Sequence, residues 1–313
     1  MNVSSRSPHG GDSMRRGAIY ALLSYGAWGI FPIYWKGFGS APPVEVIAHR
    51  LVWSFMFLGI LVAARGEIRE CLRILRTPRL AGILCGTALL LSINWGLFVL
   101  GVNTGRIVET SLGYFINPLF TVLLGCVVLR ERLSRAQSVA AVLAGIGVAV
   151  FGWHLGHLPW IALGLSLTFG LYGLIRKMVP IQPLPGLFME TALITPVAAA
   201  VGAFFFASGT GHFPGSPGKM LLFVSAGIVT AAPLLWFNAA AKLLPLTVIG
   251  FLQYLAPTLQ LLVGLLVYGE PFTSRRMVAF GFIWAAIAIF VADAARRRGR
   301  AAAVSGESSP QGR

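Results

Sequence analysis

Three ionisable side chains lie where the surrounding sequence is almost wholly apolar: His49 and Arg50 in HRLVWSF, and Glu190 in LFMETALI. A charge in such a setting costs several kcal/mol to keep out of water, so each is a candidate functional residue. A guanidinium there would hold an anionic or carboxylate group of a substrate through charge-assisted hydrogen bonds, the chemistry assigned to Arg50. Glu190 would carry a coupled proton or bind a substrate cation, and His49 is a third candidate at the same level. The ordinary alternative for all three is pairing with a neighbouring helix or snorkelling to the interface.

Uncharged polar groups gather nearby: Asn94, Tyr114, Asn117, Asn238, Gln253, Tyr254 and Gln260. Tyr114 and Asn117 fall within a turn of Pro118, and Gln253 and Tyr254 hold the corresponding place before Pro257. A proline inside a helix removes one backbone hydrogen bond and kinks the axis. Pro118 and Pro257 are therefore either gating hinges beside a central cavity or kinks that only shape packing. Trp28, Trp95 and Tyr172 would add an aromatic wall. Glu45 and Glu109, near span ends, are expected to be solvated. No H-E-x-x-H, nucleotide-binding G-x-x-x-x-G-K-[ST] or Cys/His cluster occurs, and His154 and His157 alone are too few for a metal site. The expectation is no enzyme activity and no cofactor.

The elements that position these residues follow from composition. Of 313 residues, 56% are hydrophobic and 11% charged, against roughly 25% charged in a soluble domain. A spanning helix needs about 20 mainly apolar residues. Ten stretches qualify, near 17–38, 44–64, 80–101, 110–129, 136–153, 158–175, 186–206, 219–240, 247–268 and 277–295. The expected fold is an all-α integral membrane protein of ten transmembrane helices. Sorting Lys and Arg by loop gives 19 on the side of the N-terminus and 5 on the other, with Arg50 inside a span. This positive-inside pattern places both termini in the cytoplasm and makes a nucleic-acid role for the +15 charge unnecessary.

The segments 111–134 and 250–273 align without gaps at an offset of 139, placing Pro118 on Pro257, Gly125 on Gly264 and Glu131 on Glu270. Five spans per half is an odd number, so the halves enter the membrane from opposite sides as two inverted five-helix repeats, with a site expected between them. The resulting organisation is a polar leader (1–16), repeats at 17–153 and 158–295, and a basic disordered tail (296–313). Glu131 and Glu270 close equivalent helices, either as gate residues or as loop carboxylates pairing with Arg132, Arg135 or Arg275. Small-residue pairs (Ala141 and Gly145, Ser166 and Gly170, Gly281 and Ala285) predict close helix packing, with a homodimer seam as one use of spans 5 and 10.

The repeated Pro-x6-Gly-x5-Glu in a 5+5 chain resembles the EamA group of the drug/metabolite transporter superfamily. The runs YGAWGIFPIYWK, HRLVWSF, INWGLFVLGVN, ETSLGYFINPL, GFLQYLAPTL and FIWAAIAIFVADA are similar to those of its RarD-like permeases, over about residues 15–295. The resemblance implies a permease of the bacterial inner membrane that exports a small metabolite or drug; it names no substrate and no binding residue. The expected partners are a small-molecule substrate, the lipid bilayer and a coupled proton. A non-transporting membrane scaffold or a solute channel are the other readings of the same residues.

Overall fold

Backbone in hydrocarbon has no water to bond, so each segment must satisfy its own N–H and C=O groups, and a helix does this unaided. A computed structural model describes residues 9–153, 158–269 and 274–307, and among them all regular structure is helical. In chain order the helices are α1 (His9–Lys36), α2 (Pro43–Ala64), α3 (Ile68–Arg76), α4 (Pro78–Asn103), α5 (Ile107–Val127), α6 (Arg135–Gly152), α7 (Trp160–Met178), α8 (Pro183–Ala207), α9 (Pro217–Leu243), α10 (Leu246–Gln253), α11 (Leu255–Leu266) and α12 (Ser274–Glu307). Among the described residues nine segments are long and apolar enough to cross a membrane, counting α10 and α11 as one. At 28 residues α1 is long enough and less apolar.

Two differences from the sequence reading concern the chain between and beyond spans. The segment after α2 is a helix, α3. Ile68, Leu72 and Leu75 are exposed along one stripe, Arg69, Arg73 and Arg76 along the next, and Cys71 and Ile74 are buried on the third. Nine residues with four charges carry too little hydropathy to register as a span, yet the three-faced pattern suits a membrane interface. At the other end α12 continues to Glu307, so residues 296–307 of the segment expected to be disordered are helical, as their Ala/Arg-rich sequence favours.

The packing relates the two halves. Taking α1, α2, α4, α5 and α6 as the first five and α7, α8, α9, α10/α11 and α12 as the second, equivalent helices pack on one another: α2 on α8, α5 on α10, α6 on α12. Where α1 packs on α9 and on α10/α11, its counterpart α7 packs on α4 and α5. Small residues mediate these approaches, though not all those expected. A Cβ on Gly147 of α6 would stand 2.8 Å from the Ala279 carbonyl of α12, whereas Gly145 and Gly281 face open space. Gly170 and Ser166 do lie at a close interface, with Ser166 Oγ donating to the Gly113 carbonyl of α5 at 3.0 Å.

Candidate functional site

A cavity of about 570 Å³ runs from the exposed turn between α1 and α2 into the helix core. Of the candidate residues, Arg50, Asn94, Tyr114, Asn117 and Gln253 line it, together with Pro257, Gln260, Trp28 and Trp95. Its walls also include Phe98, together with Trp35, Phe169, Tyr25 and Thr230, four residues that nothing in the sequence singled out. Arg50 lies seven residues into α2 from Pro43, about 10 Å along the helix at 1.5 Å per residue. Its guanidinium rests against the faces of Trp95 and Trp35, 4.8 and 5.7 Å from the ring centres.

Prolines and side-chain amides shape this wall. Pro257 cannot donate to the carbonyl four residues earlier, that of Gln253, and the helix breaks there, ending α10 and starting α11. The break turns Gln253 to the cavity, where its Oε1 accepts a weak hydrogen bond from Thr121 Oγ1 at 3.4 Å. Pro118 leaves α5 unbroken and is not among the lining residues; Tyr254 Oη bonds the Phe115 carbonyl beside it at 3.3 Å. Tyr254 is thereby committed to the core and does not line the cavity. Pro32 in α1 likewise frees the Trp28 carbonyl, which accepts from Gln260 Nε2 at 3.1 Å. Asn94 Nδ2 donates to the Leu165 carbonyl and to Thr168 Oγ1, both at 2.8 Å, fixing α4 to α7.

At its inner end the cavity stops against packed rings. Tyr25, Trp28, Phe169, Tyr172 and Phe237 form one cluster, with neighbouring centroids 5.0 to 6.4 Å apart. Behind it lies a buried polar network that includes Glu190. Glu190 Oε1 accepts from Thr87 Oγ1 at 2.6 Å, and Oε2 accepts from Tyr172 Oη at 3.2 Å. Arg176 Nε stands 3.7 Å from Glu190 Oε1 and donates to Asn238 Oδ1 at 3.4 Å, while Asn238 Nδ2 donates to Tyr172 Oη at 2.8 Å. Glu190 therefore joins α4, α7, α8 and α9 and is not part of the cavity wall. Arg176, counted among loop cations in the sequence, is fully buried. A Cβ on Gly186 would sit 2.2 Å from its Nη1, so the absence of a side chain there makes room for the guanidinium.

The remaining candidates sit elsewhere. His49 packs between Phe213 and Phe223, at 4.5 and 4.9 Å, beside a separate pocket of about 310 Å³ between α2 and α8. Glu45 and Glu109, expected to be solvated, are both buried. Glu45 accepts from the His212 and Phe213 amides and pairs with the His212 ring at 3.1 Å, tying down the loop before α9. Glu109 accepts from the Ile161 amide at the start of α7 and pairs with Arg106 at 2.6 Å. Glu109 thus satisfies an amide at a helix N-terminus that has no intrahelical partner, and Glu45 does the same for two loop amides, so a short chain distance from a span end gave no indication of burial.

Glu131 shows the same use and explains half of the repeated motif. Its two oxygens accept from the Leu246 and Thr247 amides at the start of α10, each at 2.8 Å. Gly125 lets that N-terminus approach, since a Cβ there would lie 3.1 Å from the Thr247 amide nitrogen and 2.9 Å from Glu131 Oε2. The partner of Glu131 is thus the other half of the chain and not Arg132 or Arg135. Glu270 lies outside the described residues. Glu131→Ala is expected to lose about 1–3 kcal/mol of stability, with Glu131→Gln in between. Hydrogen exchange is the check: unchanged protection of the Leu246 and Thr247 amides in Glu131→Ala would remove the capping assignment.

Residues 15–153 match the EamA-like transporter family, a span that ends where the first group of five long helices ends. An uncharacterized transporter of Pseudomonas aeruginosa is 46% identical over 287 residues, covering 91% of this chain and 96% of that protein. Protein RarD of Escherichia coli is 43% identical over 281 residues, covering 90% and 95%. A crystal structure at 17% identity superposes with a TM-score of 0.66 over 87% of this chain and 96% of the other, which speaks for the fold alone. With a cavity walled by seven long helices and relatives this similar end to end, the chain is a multi-pass membrane transporter that belongs to the EamA-like transporter family, alongside the RarD proteins.

Proposed function

We propose that the protein is a secondary transporter that exports a small metabolite or drug across the bacterial inner membrane by alternating access. The observation that carries this reading is the asymmetry of the central cavity. It reaches the surface at the α1–α2 turn and stops, at its other end, on the aromatic cluster backed by the Arg176–Glu190 network. The excess of Lys and Arg in alternate connections assigns the closed end to the cytoplasm, with both termini there and α1 as the tenth span. The open end then faces outward. Three of the five equivalent helix pairs pack on one another, which supports an inverted arrangement, and exchange of conformations between the halves would open the cytoplasmic end and close the outer one. No enzymatic step is needed for this work.

Single cysteines at Thr230 and Phe237, in a chain whose Cys71, Cys85 and Cys126 are replaced by serine, test the mechanism. Thr230→Cys lines the cavity and is expected to react with an impermeant maleimide from outside. Phe237→Cys lies in the ring cluster and is expected to react from the cytoplasmic side, in a fraction of molecules that changes with the substrate gradient. Labelling fixed to one side under every gradient would sink alternating access in favour of a static scaffold.

A further inference from the structure

We propose that the solute is a small organic anion, a carboxylate or equivalent monoanion on a flat apolar body, with Arg50 as its charge partner. This rests on the transport reading of the central cavity and adds the chemical class of what it carries. Among the lining residues Arg50 is the one bearing a full charge. Its neighbours are the Trp35 and Trp95 rings, and its Nε is buried with no hydrogen-bond partner in the protein.

The described carboxylates in the helix core are engaged elsewhere. Glu45 is bound by the loop before α9, Glu109 by Arg106 and Ile161, Glu131 by α10, and Glu190 by Thr87, Tyr172 and Arg176. Cation–π attraction offsets only part of the loss of water around a guanidinium. An incoming anion would supply the remainder. An incoming cation would meet an uncompensated positive charge.

Three more atoms without a partner occur in the same wall: Asn117 Oδ1, Thr230 Oγ1 and Tyr25 Oη. Tyr25 lies eleven residues from the outer end of α1, about 16 Å deep against about 10 Å for Arg50. Charge recognition therefore sits in the outer part of the cavity and neutral hydrogen bonding in the inner part. The rings of Trp28, Phe98 and Phe169 line the same cavity. A ligand with an anionic end, a flat apolar middle and a neutral hydrogen-bonding tail satisfies all of these groups at once.

The test uses the purified full-length protein in nanodiscs and three probes of one shape: phenylacetate, phenylacetamide and phenethylamine. Quenching of tryptophan fluorescence reads binding, since Trp35 and Trp95 flank the guanidinium. Phenylacetate is expected to bind about ten-fold or more tightly than the amide, the worth of one charge-assisted hydrogen bond, and the amine is expected to bind least. Arg50→Gln should make anion and amide equal, while Arg50→Lys keeps the order of preference. Equal binding of all three by the unaltered protein, a preference for the amine, no response to any probe, or an anion preference surviving in Arg50→Gln would each overturn the proposal. Proteoliposome counterflow separates it from the transport reading. Anion-selective binding without flux leaves the ligand class standing and removes transport, whereas flux selective for the amine does the reverse.

Discussion

Arg176→Met is expected to destabilise the protein by about 3–5 kcal/mol, because it leaves the Glu190 carboxylate buried without its cation. Both side chains are essentially inaccessible, and neither can turn to water without opening the four helices that meet there. Glu190→Leu should cost a similar amount by stranding the guanidinium. The double variant Arg176→Met/Glu190→Leu is expected to recover at least half of either loss. A well-packed apolar pair replaces a buried ion pair at little net change in stability, and Tyr172 Oη keeps its bond from Asn238 Nδ2. Thermal unfolding of the four proteins in one detergent completes the cycle. A double variant as unstable as the sum of the singles would mean that each residue is held by its own separate hydrogen bonds and that the pair is not coupled. The same network backs the ring cluster on which the cavity ends, so the double variant also asks whether an apolar backing still allows flux.

Gly227→Ala is expected to cost about 3 kcal/mol, at the upper end for adding a methyl group to a packed interior. The added Cβ would lie 2.3 Å from the carbonyl carbon of Trp53 and 2.6 Å from the amide nitrogen of Ser54. These are backbone atoms of α2 and cannot swing aside as a side chain would. The approach is so close that Ser54 Oγ donates directly to the Gly227 carbonyl at 2.9 Å. Separating α2 from α9 would also shift Arg50 and Thr230, which those helices carry into the cavity. Gly86→Ala is the matched control. A Cβ at Gly86 meets nothing within 4 Å, and alanine in a helix interior is favoured by about 0.5–1 kcal/mol. Melting curves that coincide for the two variants would show that α2 and α9 are not in backbone contact.

The all-helical membrane fold, the position of most spans and the paired Pro-x6-Gly-x5-Glu segments are legible in the sequence. Each of these rests on local quantities: the length of an apolar run, and residues recurring at a fixed offset. The sequence also picked out Arg50, Asn94, Tyr114, Asn117 and Gln253, because a polar group in a long apolar run is conspicuous whatever surrounds it. Which of those groups share a cavity depends on how the helices pack. His49 turns to a side pocket, Tyr254 to the Phe115 carbonyl and Glu190 to Arg176, although all three looked equal to the others in the sequence. The same holds for Glu45, Glu109 and Arg176, whose places near span ends suggested water and whose partners, a loop, a helix end and a helix face, lie far along the chain. Tyr25 and Thr230 were invisible for a related reason, since a tyrosine or threonine in a span is unremarkable until its neighbours leave it unpaired. Hydropathy sets how far a helix is buried, whereas the rotation of each helix about its axis is set by contacts between residues far apart in the chain, and that rotation determines which side chains reach the cavity.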